Sequence, residues 1–154
     1  MPVQLGTIRS LDGTTWSPAE GPKQVIADWL NAIANIFPDM ASYCNSVIHQ
    51  DYFAWCGLTV GYCFAVNGVA PVFGATDTDK FLWAMAWLEW GTAVQTPQPG
   101  DVVVFDFGHG DQHVSLFEAD NGNGYWACHG GNQGHAVNLS NFPRSSVRGI
   151  RRPS

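Results

Sequence analysis

Cys56 is the residue of this chain best placed to do chemistry. The segment AWCGLTVGYCFAV, residues 54–66, is apolar nearly all round and reads as a buried helix with Cys56 in its first turn. Unpaired backbone N–H groups and the helix dipole at that position stabilise a thiolate and lower the pKa of the thiol. The same N–H groups can donate to an oxyanion. The competing reading is that Cys56, like most free cysteines, is a small buried hydrophobe. A thiolate nucleophile also needs a base, and His113 opens the strand-like run QHVSLFEA. His109, four residues earlier, could serve as well. A third polar group would fix the imidazole tautomer, and YWACHGGNQ offers His129 and Asn132 for that task. Gly130 and Gly131 between them permit close backbone approach, or form an ordinary turn.

Other constellations are poorer. His109, Asp111 and His113 alternate as H-x-D-x-H, but a metal site needs further ligands and a supporting shell that the sequence does not display, so neither metal nor cofactor is expected. The glycine-rich stretches carry no Lys-Ser/Thr pair and open no helix, which excludes a phosphate-binding loop. Asp101, Asp106 and Glu118 show no pairing that would suit a glycosidase, and Glu20 and Glu89 leave that chemistry formally open. The spacing of Cys44, Cys56, Cys63 and Cys128 matches no zinc pattern, and the four read as separate thiols.

Elements must bring these groups together. Residues 1–22, rich in Gly, Pro, Ser and Thr, read as an irregular arm. Val25, Ile26, Trp29, Leu30, Ile33 and Phe37 recur at helical spacing between Pro22 and Pro38. A short helix is expected over Met40–Ile48, then the helix of Cys56, ended by Asn67-Gly68. Another is expected from about Asp79 to Trp90, with Asp77, Thr78 or Asp79 as caps. After Gly91 the pattern becomes β-branched and alternating: VVVFDF, QHVSLFEA, an NGNG turn, GYWACHG, HAVNLS and SVRGIRRP predict five strands. The expected architecture is α+β in one domain spanning 1–154, with N-terminal helices packed on a C-terminal antiparallel meander.

At 154 residues, 45% hydrophobic and 13% charged, the chain can bury a real core. Its net charge of -6, with basic residues gathered at Arg144–Arg152, argues against nucleic acid and against anionic lipid. No apolar run is long enough for a membrane span, and the N-terminus lacks a secretory signal pattern. No exposed heptad demands a partner, so a monomer is expected. Seven tryptophans imply an aromatic core or a groove with flat apolar walls. Trp55, Trp87, Trp90 and Trp126 are candidates for such a groove, with His129 and Gln133 as further substrate contacts.

In order along the chain, YFAWCGLTVGYCFAVNGV, AMAWLEWG, PQPGDVVVFDF, QHVSLFEA and HGGNQ with AVNLSNFPRSSVRGIRRP resemble the NlpC-type and CHAP-type papain-like peptidases, closest to a small phage-associated branch. The resemblance covers roughly residues 24–153. It implies a papain-like fold in which Cys56 attacks, His113 of Gln112-His113-Val114 is the base and Asn132 orients it. Gln112 stands where the family commonly has glycine, His129 stands where an aliphatic residue is usual, and the N-terminal arm has no counterpart. The implied activity is peptidoglycan hydrolysis, as amidase or stem-peptide endopeptidase, with delivery by a phage or a secretion system and, for a toxin, a cognate immunity protein. A non-catalytic wall-binding or tail module, and a papain-like acyltransferase or deamidase, are the alternatives to it.

Overall fold

The computed structural model describes residues 1–154. Helix α2 (Gln24–Ile36) turns Ile26, Trp29, Leu30 and Ile33 inward, as the 3.6-residue spacing requires, and stops at Phe37 because Pro38 cannot continue it. Helix α3 (Ala41–Val47) packs beside it, burying Cys44 and Val47. Helix α4 (Cys56–Ala65) is buried along almost its whole length. Trp29 of α2 stacks on Tyr62 of α4, with ring centroids 5.3 Å apart.

The N-terminal arm is not irregular. Residues Val3–Ser10 form helix α1, which buries Leu5 and Ile8, and Trp16 beyond it is also in the core. Eight residues give too short a window for periodicity to stand out, and the flanking Gly, Ser and Thr dilute it. The expected helix over 79–90 is also corrected. Lys80 and Trp83 are extended, and Ala84–Glu89 coil as a 3-10 helix. Three residues per turn put Ala84, Trp87 and Trp90 on one side, all buried. Phe64 of α4 meets Trp90 at 4.6 Å and Trp87 at 6.2 Å, so the aromatic packing rather than helix propensity decides this segment.

Six antiparallel strands, one more than the pattern indicated, form a single sheet: β1 (Thr92–Val94), β2 (Val102–Asp106), β3 (Gln112–Asp120), β4 (Tyr125–Gly130), β5 (Asn138–Pro143) and β6 (Val147–Arg152). The order β1-β6-β2-β3-β4-β5 makes β2 to β5 a meander, whereas β6 crosses back to lie between β1 and β2. A bidentate ion pair from Arg152 to Asp101 (2.8 and 2.7 Å) closes that return.

The sheet is apolar on both faces. Val102, Val104, Val114 and Leu116 join a 28-residue core with the helices. Val103, Phe105, Phe117, Trp126, Cys128 and Ile150 form a second cluster. This explains why β2 reads as a continuous apolar run instead of an alternating one. The rings of Phe105 on β2 and Phe142 on β5 approach to 5.0 Å although two strands separate them, so the sheet is strongly curled. No helix is long and apolar enough to cross a membrane.

Candidate functional site

Helix α4 begins at Cys56 with no side-chain cap, because Trp55 ahead of it has no oxygen to offer the first N–H groups. Strand β3 begins one residue before His113, which is buried against Phe105 and Phe142. Contact between α4 and β3 brings the two side chains close enough for each to shift the titration of the other. Burial pushes the Cys56 thiol up, but the positive charge and hydrogen bond of His113, with the backbone N–H groups of Val114 and Gly57, outweigh it, and the net direction is down. Burial likewise pushes His113 down. The charge and hydrogen bond of Cys56, then Gln133 and Asp111, reverse this and raise it. Both shifts favour a thiolate–imidazolium pair.

The other thiols behave oppositely. Burial raises Cys44 to about 11 and Cys128 to about 12, and it raises Cys63 further. All four cysteines are free and buried, so what distinguishes Cys56 is its neighbour, not its exposure.

The group that meets the far side of His113 is Gln133. His113 Nε2 lies 3.0 Å from Gln133 Oε1, which also accepts from Ser115 Oγ at 2.9 Å. The Gln133 amide cannot be turned round. Its Nε2 donates to the carbonyl oxygen of Asn138 at 2.8 Å, to Asn138 Oδ1 at 3.0 Å and to the carbonyl of Cys128 at 3.3 Å. An amide oxygen only accepts, so His113 Nε2 carries the proton and Nδ1 is left for the thiol.

The segment HGGNQ therefore divides its work differently from the expectation. Asn132 makes no hydrogen bond to His113; its Oδ1 accepts from the Tyr52 hydroxyl at 3.1 Å. His129 is elsewhere: both ring nitrogens meet carboxylates, Nδ1 that of Glu118 and Nε2 that of Asp12, and Glu118 in turn holds Arg9. That chain of hydrogen bonds ties α1 and the turn after it to β3 and β4. Two adjacent amides in a turn offer no pattern that tells which one faces inward. The backbone at Asn132 is left-handed (φ 55°), and a sequence does not display backbone angles.

The tryptophans are mostly core. Trp55 is fully buried and donates from Nε1 to the carbonyl of Trp16 at 3.1 Å; Trp87 and Trp90 are buried as well. Trp126 packs edge-on to Phe117 in the second cluster, towards the far end of the β3–β4 hairpin. The exposed indole is instead Trp83, 50% accessible. It lines an apolar cavity of about 360 Å³ with Phe53, Ala54 and Leu82. Ala54 lies two residues before Cys56, and the backbone of Leu82 abuts Gly57 just after it. Neither this cavity nor a larger one of about 600 Å³ between Phe73 and Trp90 is lined by Cys56 or His113 themselves. The smaller one has the better claim on a substrate, since its wall includes Ala54 and Leu82, which flank the first turn of α4.

His109, Asp111 and His113 do not converge, and no group of three His, Cys, Asp or Glu side chains is arranged to hold a metal. What the arrangement can do chemically is attack an electrophilic carbon with a thiolate and return a proton from His113 to a leaving group. No protein-family model matches this chain, and neither does any curated protein.

Proposed function

We propose that this chain is a papain-like cysteine hydrolase that cuts an amide bond in the stem peptide of bacterial peptidoglycan. Cys56 is its nucleophile, His113 its base and Gln133 the group that orients His113. The observation that carries the reading is the line Cys56–His113–Gln133, in which a buried thiol is held down in pKa by a histidine whose tautomer is fixed from behind. A buried cysteine serving only to pack has no use for such a partner, and Cys44, Cys63 and Cys128 lack one. The amide specificity and the cell-wall substrate rest on the ordered motifs from YFAWCG to HGGNQ.

In this mechanism the Cys56 thiolate attacks the carbonyl carbon, forming a C–S bond while the π pair moves to oxygen. Collapse expels the amine, which takes the proton from His113 Nδ1. Water, deprotonated by the same nitrogen, then hydrolyses the thioester and frees the thiol. The uncapped start of α4 offers first-turn backbone N–H groups to the transient oxyanion. The enzyme reaches the wall through a phage lysis or tail apparatus, or through a secretion system with a matching immunity protein.

The test is digestion of purified sacculi by the native protein and by Cys56→Ala, with released fragments identified by mass. New amine termini from the native protein alone establish the nucleophile and name the bond. Intact sacculi in both reactions reject the cell-wall substrate.

A further inference from the structure

The Asn132 side chain has its oxygen engaged and its nitrogen free. Its Oδ1 accepts from Tyr52, whereas its Nδ2 donates to no protein atom and the residue is only partly buried. The free donor sits on a stiff mount. Gly131 before it is pressed on α4 so closely that a Cβ there would fall 2.0 Å from Thr59 Oγ1, and Gln133 after it is locked by five side-chain hydrogen bonds. Asn132 itself holds a left-handed backbone at φ 55°. Such conformations cost energy in any residue but glycine and persist where the surroundings impose them.

Tyr52 lies four residues before Cys56, and its ring is packed on Trp16 (4.7 Å) and edge-on to His135 (6.4 Å). Burial first, and the charge on Cys56 after it, keep its hydroxyl protonated and thus a donor. The Tyr52–Asn132 bond therefore joins the chain entering the nucleophile helix to the loop that orients the base. It leaves the Nδ2 group of a rigid amide, with both of its N–H bonds, unspent between them.

We infer that Asn132 is a substrate-binding residue whose Nδ2 donates to the carbonyl oxygen of the amide under attack, and that Tyr52 is a positioning residue that holds the amide in place. The inference rests on the hydrolase reading above and assigns the ligand chemistry as a peptide carbonyl. Charge gathers on that oxygen as the C–S bond forms, so the hydrogen bond strengthens in the transition state and its loss appears in kcat more than in KM.

The experiment compares native protein, Asn132→Gly, Tyr52→Phe and the double variant. Glycine accepts φ 55° without strain, and phenylalanine keeps the ring packing, so each change removes polar atoms alone. Two rates are read for each: release of peptide from sacculi, and alkylation of Cys56 by iodoacetamide, which needs the thiolate but no oxyanion donor. The expected result is a fall in kcat of about 10²-fold for Asn132→Gly. A smaller fall is expected for Tyr52→Phe and no additional fall for the double variant, with alkylation unchanged throughout. Native-like turnover by Asn132→Gly, or turnover and alkylation falling together, overturns the inference while leaving the hydrolase intact. Failure of the native protein to release peptide, despite normal alkylation, rejects the hydrolase reading itself and this inference with it.

Discussion

At the scale of the residue, the chemistry depends on how three side chains share two protons. Cys56 is pushed up by burial and drawn down further by His113, and His113 is raised in return, so the ion pair exists between the two displaced values. Alkylation of Cys56 should accordingly begin below the ordinary thiol range, at pH values where Cys44, Cys63 and Cys128 remain unreactive. Turnover should rise as the thiolate forms and fall again as His113 loses its proton at higher pH. In His113→Gln the alkylation profile should move up towards or beyond an ordinary thiol, slowing the reaction at pH 7 by about tenfold or more. A profile unmoved by that substitution would show the helix terminus, not His113, to be what holds the thiolate. Gln133 acts one bond further out. Gln133→Leu leaves the Ser115 hydroxyl and the His113 N–H without their acceptor, and kcat should drop by about 10²-fold through misorientation of the ring. Alkylation at saturating pH should drop far less, and measuring both rates separates orientation from thiolate formation.

At the scale of the element, the start of α4 is set by contact with the segment that follows it. Gly57 has the Phe81 carbonyl where a Cβ would be, 2.0 Å away, so no side chain fits there without moving backbone. Gly57→Ala must displace either the first turn of α4, and Cys56 with it, or the Phe81–Leu82 backbone and the cavity wall. A destabilisation of about 1–3 kcal/mol by chemical denaturation is expected, with loss of rapid alkylation at Cys56. Gly61, one turn later, has its nearest neighbours at 3.4 Å or more, and Ala should be tolerated there. The 3-10 segment Ala84–Glu89 illustrates the same dependence. Its residues suit an α-helix, yet Trp87 donates to the Phe81 carbonyl and Trp90 to the Ala70 carbonyl, bonds that hold the tighter coil.

At the scale of the whole molecule, the N-terminal arm clamps the two halves of the site. Thr15 bridges to Ala136, the Trp16 N–H donates to the His135 carbonyl, and the Trp16 carbonyl accepts from Trp55. One short stretch thus grips both the loop of Gln133 and the chain entering α4. Trp16→Ala should cost about 3–5 kcal/mol in unfolding free energy, as expected for a fully buried indole. The chain Arg9–Glu118–His129–Asp12 adds an acid-sensitive anchor. Arg9 first, and His129 after it, hold the Glu118 carboxyl below its usual range. A depressed carboxylate contributes stability above its unfolded pKa and loses it as pH falls through the folded value. Glu118→Gln should therefore flatten the loss of stability with acid, measured by denaturant titration at stepped pH.

The amino-acid sequence by itself determined the helices α2, α3 and α4, the hairpin turn at Asn121–Gly124 and most of the strands, because their signals are local: periodicity, proline and glycine punctuation, and runs of β-branched residues. It also singled out Cys56 and His113, since a cysteine at a helix start and a histidine at a strand mouth are visible in one dimension. Tertiary structure alone decided the rest. That α1 docks on the sheet, that residues 79–90 coil tightly, that β6 returns beside β2 and that Gln133 rather than Asn132 meets His113 all follow from contacts between segments distant in sequence. Which of two neighbouring amides faces a histidine depends on how the turn is folded, and that is imposed by what packs around it.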